Sequence, residues 1–109
     1  MHKYNSRKEV LDEIRHMHPE MAEYIESTVN FHSIRTSQLS LEKREITIIG
    51  ALVAQNSQPQ LKVHLIKLLD MNITFDEISE IILQLSVYVG MPYAINSILT
   101  LKEIHDKNV

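Results

Sequence analysis

An imidazole with apolar neighbours is the first place on this chain where chemistry is suggested. His64 sits in Gln60–Met71, where Leu61, Val63, Leu65, Ile66, Leu68 and Leu69 form a broad apolar face at helical spacing. The segment that follows, up to Gly90, is mostly Ile, Leu and Val, with a few polar exceptions. Glu77, Glu80, Gln84 and Tyr88 are spaced 3, 4 and 4 apart. At about 100° per residue they fall within an arc of roughly 80°. Two carboxylates, an amide and a phenol on one stripe could line a small polar site. The same stripe is also what a solvated helix face looks like. Spacing alone favours water, because charged side chains are mostly exposed and Glu77 doubles as a helix cap.

Other chemistries are less well served. His16 and His18 are two residues apart, so in a helix they point to different sides and a metal pair is not expected. His2, His32 and His105 read as surface residues, and the five Met as gap-fillers in a core. The chain has no Cys, which excludes disulfides, thiolate catalysis and Cys-based zinc sites.

The elements that must position these residues read as helices. Ser6 and Glu9 can form a capping box for a helix to about His16, with Val10, Leu11 and Ile14 on one face. Pro19 suits the start of a second helix, to about Ile34. Arg35 to Leu39 is a polar link, and Ser40 can cap a third helix from Leu41 to about Gln55. From Ile46 its text is ITIIGALVA, so it is expected to lie at the centre or at a subunit interface. After the Asn56–Pro59 turn comes the His64 helix, which Asn72 can end in a left-handed conformation. Thr74 and Glu77 form a second capping box, with Ile73 and Ile78 as the hydrophobic staple. These two helices are expected to form a central hairpin. Pro92 opens the last helix, to about Asp106, with Ala94, Ile95, Ile98, Leu99, Leu101 and Ile104 inward.

The totals bound what such a bundle can do. A chain of 109 residues, 44% apolar with only 2 Gly and 3 Pro, suits one all-α domain. The net charge of −3 argues against nucleic acid or an anionic membrane as a partner, since both select basic faces. Met1 to Glu9 holds no apolar run of the secretory kind, and no apolar stretch approaches the ~20 residues of a membrane span. A soluble, cytoplasmic protein is the expectation. The apolar content of the third helix makes self-association a reasonable inference.

The order and spacing of several short pieces resemble the carboxymuconolactone decarboxylase family, within the alkylhydroperoxidase D-like superfamily. They are Leu41-Glu42-Lys43-Arg44-Glu45-Ile46; Gln60-Leu61-Lys62-Val63-His64; Glu77-Ile78 with Glu80 to Gln84; and Val87-Tyr88 with Gly90, Pro92, Ala94 and Asn96. The resemblance covers about residues 39 to 102. Residues 1–38 resemble the family's helical lead-in only loosely, so a single domain is divided into that lead-in and a core at 39–106. The resemblance implies an all-helical six-helix subunit assembled as a homotrimer or homohexamer. The family's peroxidase branch uses a Cys-x-x-Cys pair, with a His four residues after the second Cys. Here those positions are Ser57 and Gln60, so a thiol peroxidase is excluded.

The decarboxylase branch implies a carboxy-lyase acting on a small lactone bearing carboxylates. Losing carbon dioxide sends electrons through the ring double bond onto the lactone carbonyl, so the site must bind anions, stabilise a dienolate and deliver a proton to carbon. Arg44 suits the carboxylates through its planar fork. His64 suits the proton donor. Glu80, or Glu77 beneath its capping role, suits the group that holds the imidazole's tautomer, with Glu80 preferred. Tyr88 and Asn96 line the site or bond between helices. No metal or organic cofactor is implied. The alternative is a catalytically divergent, oligomeric relative that binds a small molecule or serves as a scaffold.

Overall fold

A computed structural model describes residues 6–33, 35 and 38–107, with the side chains of His32 and Ser33 excepted. His2, the Ile34 expected at the end of the second helix, and Thr36 and Ser37 of the polar link lie outside the described residues. Among those described there are six helices and no strand: α1 Arg7–Met17, α2 Pro19–Ser33, α3 Leu41–Ala54, α4 Gln58–Asp70, α5 Phe75–Val89 and α6 Met91–Lys107. No helix of the described residues is long and apolar enough to cross a membrane.

The starts follow the caps that the sequence supplies. The hydroxyls of Ser6, Ser40 and Thr74 accept from the N–H groups of Glu9, Lys43 and Glu77 at 3.2, 3.2 and 3.1 Å. The ends of α3 and α4 share one device. Asn56 and Asn72 take positive φ, 54° and 68°. Around each, two N–H groups turn back onto the last helical carbonyls: Asn56 to Val53 and Ser57 to Leu52, then Asn72 to Leu69 and Ile73 to Leu68. This is the Schellman arrangement, with asparagine where glycine is commonest. The buried contact of Ile73 with the Leu68 level locks the second turn. Gly90, at φ 96°, alone joins α5 to α6, a conformation that L side chains rarely adopt.

Helices adjacent in sequence pair as α1 with α2, α3 with α4, and α5 with α6. Helix α4 also packs on α6, and α5 on α3. The turn at Met71–Thr74 therefore joins α4 to α5 without making them the main packing pair expected from their short connection. The hairpin that carries His64 is α3–α4. Ile49 and Val53 of α3, Leu61, Leu65 and Leu68 of α4, Ile78 and Ile82 of α5, and Ala94, Leu101 and Ile104 of α6 form one core.

Helix α6 departs from its expected inward face. Ser97 and Thr100 are buried, while Ile95, Ile98 and Leu99 are exposed. The reason is a polar seam. Thr100 Oγ1 donates to Gln58 Oε1 at 2.7 Å, Gln58 Nε2 donates to Asn56 Oδ1 and Ser97 Oγ, and Asn96 Nδ2 donates to Asn56 Oδ1. The seam fastens the α3–α4 turn to α6 and rotates the α6 aliphatics outward. Asn96 is thus an interhelical clamp, one of the two roles open to it from sequence. Lys62 is also buried, its ammonium 3.8 Å from Glu103 Oε1.

Candidate active site

Three helical side chains meet at the α3–α4 contact. Glu45 lies on the face of α3 that carries Ile49 and Val53, four and eight residues on, and is buried with them. His64 Nδ1 and Glu45 Oε1 are 2.7 Å apart. Lys67, one turn further along α4, sets its ammonium 3.5 Å from Glu45 Oε2. Burial alone would push the Glu45 carboxyl upward; the hydrogen bond from His64, with the charges of His64 and Lys67, outweighs it and holds the group below the ordinary carboxylate range. Glu45 is therefore ionised at neutral pH and accepts, so Nδ1 carries a proton. Nε2 is then the ring atom left for proton exchange, with no protein partner among the described residues. The carboxylate fixes tautomer and ring orientation together, the role carboxylates play beside functional histidines.

A cavity of about 450 Å³ opens beside this trio. Its wall includes His64, Glu45 and Lys67, together with Arg44, Thr47 and Ile48 of α3, Leu39 and Leu41 at the α3 entrance, Thr28 and Val29 of α2, and Arg7 of α1. That volume is in the range of small-molecule sites, and four aliphatic side chains share the wall with seven polar or charged ones. Arg44 Nε donates to the Leu39 carbonyl at 3.2 Å. This bond holds the guanidinium stem at the cavity mouth, and neither Glu45 nor Glu77 pairs with it among the described residues.

Of the residues singled out from sequence, His64 and Arg44 come together here. Glu77, Glu80 and Tyr88 do not. Glu80 does not hold the imidazole, because Glu45 already occupies Nδ1. Glu77 remains a cap, bonded through its N–H and its carboxylate to the Thr74 hydroxyl. Glu80 and Gln84 face solvent, and Tyr88 is 82% exposed, so within one chain the stripe on α5 is a surface face. Helix α5 packs on α3 and α6, which keeps its carboxylates away from the His64 side of α4. Glu45 was legible in principle: it is the last charge before α3 turns apolar, four and eight residues ahead of Ile49 and Val53. Lys67 is three residues after His64, the spacing that stacks side chains on one helix face. His105, expected at the surface, is exposed but sets its ring edge-on to Phe75 at 4.6 Å. Among the described residues no group of three or more His, Asp or Glu is placed to hold a metal ion.

The family model for the carboxymuconolactone decarboxylase family matches residues 19–103. The chain belongs to that family. The match spans α2 to most of α6 and leaves α1 outside it. Among curated proteins, none matches this chain. Membership agrees with the all-helical, six-helix architecture and with the resemblance carried by the α3, α4, α5 and α6 pieces.

Proposed function

We propose that this chain is an acid–base enzyme of the decarboxylase type, acting on a small carboxylated lactone in the cavity beside His64. One observation carries the proposal. A buried, ionised carboxylate orients an imidazole whose second nitrogen is free, at the edge of a cavity that Arg7, Arg44 and Lys67 also line. In the proposed reaction the bond from a ring carbon to a carboxylate carbon breaks and carbon dioxide leaves. Its electron pair moves through the ring double bond onto the lactone carbonyl, giving a dienolate. The lysine and arginine charges stabilise that anion. His64, protonated at both nitrogens, donates Nε2–H to carbon and ends neutral, with Nδ1–H still on Glu45. General acid catalysis of this kind supplies about 10²–10⁴-fold.

Assay of carbon dioxide release from carboxymuconolactone tests this. Wild type is expected to turn over, and His64→Ala to lose about a hundredfold or more in kcat. Glu45→Gln, which removes the orienting charge, is expected to lower kcat while leaving KM close to wild type. Turnover indifferent to His64→Ala overturns the assignment of the proton donor. No turnover by wild type overturns the decarboxylase reading and favours the binding or scaffold alternative.

Self-association is part of the proposal. Leu83, Val87 and Tyr88 on α5, with Met91, Ile95, Ile98 and Leu99 on α6, form an exposed apolar face. Contiguous apolar faces of this kind mark protein interaction sites on small domains, and a second copy is the occupant most consistent with the expected trimer or hexamer. Helix α3, expected at the centre or at a subunit interface, buries Ile49 and Val53 in the subunit core.

A further inference from the structure

Helix α1 precedes the region matched by the family model, yet its first residue borders the candidate site. Arg7 lines the cavity shared by Glu45, His64 and Lys67. It also lines a second hollow of about 180 Å³ on the Pro59 and Gln60 side of His64. Arg7 therefore lies where hollows on two sides of His64 meet, and it borders two further surface hollows toward Asp12 and Asp70. Neighbouring cations are engaged. Lys8 and Arg15 both bond Asp12, and Arg15 reaches Glu26. Lys67 pairs with Glu45, and Arg44 is held by the Leu39 carbonyl. Arg7 is half-buried and, among the described residues, has neither an ion pair nor a side-chain hydrogen bond.

We propose that Arg7 binds an anionic group of the ligand in this cavity, so that α1 selects molecules carrying a second carboxylate. The inference rests on the reading above, that a small carboxylated molecule occupies the cavity. The physical basis is geometric and electrostatic. A guanidinium presents a planar fork that matches a carboxylate with two parallel hydrogen bonds. Arg44 and Arg7 enter the cavity from different helices, the first at the start of α3 and the second at the start of α1. Two cations on separate elements suit a ligand with an anionic group at each end, one near Arg44 and one under α1. A monocarboxylate satisfies only one of them.

Calorimetric titration with two probes of one carbon skeleton tests this. The dicarboxylate is trans,trans-hexa-2,4-dienedioate and the monocarboxylate is trans,trans-hexa-2,4-dienoate. Wild type is expected to bind the dicarboxylate at least tenfold more tightly. Arg7→Gln is expected to weaken the dicarboxylate by about tenfold to a hundredfold, the worth of a charge-assisted hydrogen bond, and to leave the monocarboxylate unchanged. Arg7→Lys, which keeps the charge but not the fork, should recover part of the loss. Far-UV circular dichroism and the His64 ring resonances report whether each variant keeps its fold. Equal affinity of wild type for the two probes, no binding of either, or an Arg7→Gln variant that discriminates like wild type overturns the proposal. Binding and turnover separate the two readings. Arg7-dependent binding without turnover leaves this inference standing and removes the decarboxylase. Turnover that needs His64 but ignores Arg7 does the reverse.

Discussion

Removing either half of the Glu45–His64 pair should destabilise the fold, and by unequal amounts. Glu45 is 5% exposed at its side chain and His64 16%, so neither can regain full hydration when its partner goes. His64→Ala leaves a buried carboxylate with only Lys67 at 3.5 Å, and Lys67 is 38% exposed, so that remaining attraction is partly screened. Leaving a buried carboxylate short of its hydrogen-bond donor in this way costs about 3 kcal/mol or more. Glu45→Ala leaves a largely buried imidazole without its acceptor, and about 2 kcal/mol is expected. The double variant should cost about 2 kcal/mol less than the sum of the singles, the coupling of a short charge-assisted hydrogen bond. Urea unfolding followed by far-UV circular dichroism, at one fixed protein concentration, measures all four corners of the cycle.

The same cycle has a pH signature. The Glu45 carboxyl is held below its ordinary value in the folded chain, so the unfolded chain binds more protons at acid pH and stability rises with pH through that range. The pair's contribution is therefore complete above the unfolded glutamate value of about 4.3 and is lost as pH falls through the folded value. Asp12 and Asp106 are also held low, first by their lysine hydrogen bonds, but they are common to wild type and Glu45→Ala and cancel in the difference. The stability gap between those two proteins should shrink between about pH 5 and pH 3. A coupling below about 0.5 kcal/mol, or a gap flat with pH, refutes the pairing as the basis of the site.

Other perturbations follow from the same structure. Asn56→Ala should destabilise by about 2 kcal/mol in urea unfolding, because alanine resists φ 54° and the acceptor for Gln58 and Asn96 is lost. Asn56→Gly should recover the backbone part alone, roughly half. Gly90→Ala should cost about 1–3 kcal/mol from backbone strain at φ 96°, since its Cβ would meet only Pro92 Cδ at 3.9 Å and no clash contributes. Thermal unfolding should register this as a drop in Tm of about 4 °C per kcal/mol. Val87→Lys with Leu99→Glu, on the exposed face of α5 and α6, should reduce the mass seen by light scattering while leaving helix content unchanged. A wild type that is already monomeric at micromolar concentration would refute the self-association proposal.

The sequence by itself determined the local structure of this protein and marked one position for the proposed chemistry. Ser6, Ser40 and Thr74 fix helix starts, because a side-chain oxygen satisfies N–H groups within three residues. Asn72 and Gly90 fix helix ends through their own backbone freedom. An imidazole in an apolar helix marked His64, and Ser57 and Gln60 stand where the family's peroxidase branch has its Cys pair. Tertiary structure alone decided what His64 touches. A helix periodicity states which face is apolar but not which neighbour covers it, so the short turn before α5 suggested Glu77 and Glu80 as partners. The packing of α4 on α3 and α6 supplied Glu45 instead, 19 residues earlier in the chain. The same limit hid the polar seam of α6, where Gln58 and Asn56 lie about 40 residues from Thr100 and Asn96. The part proposed for Arg7 left no trace in the sequence at all, because it depends only on where the start of α1 lies relative to α4.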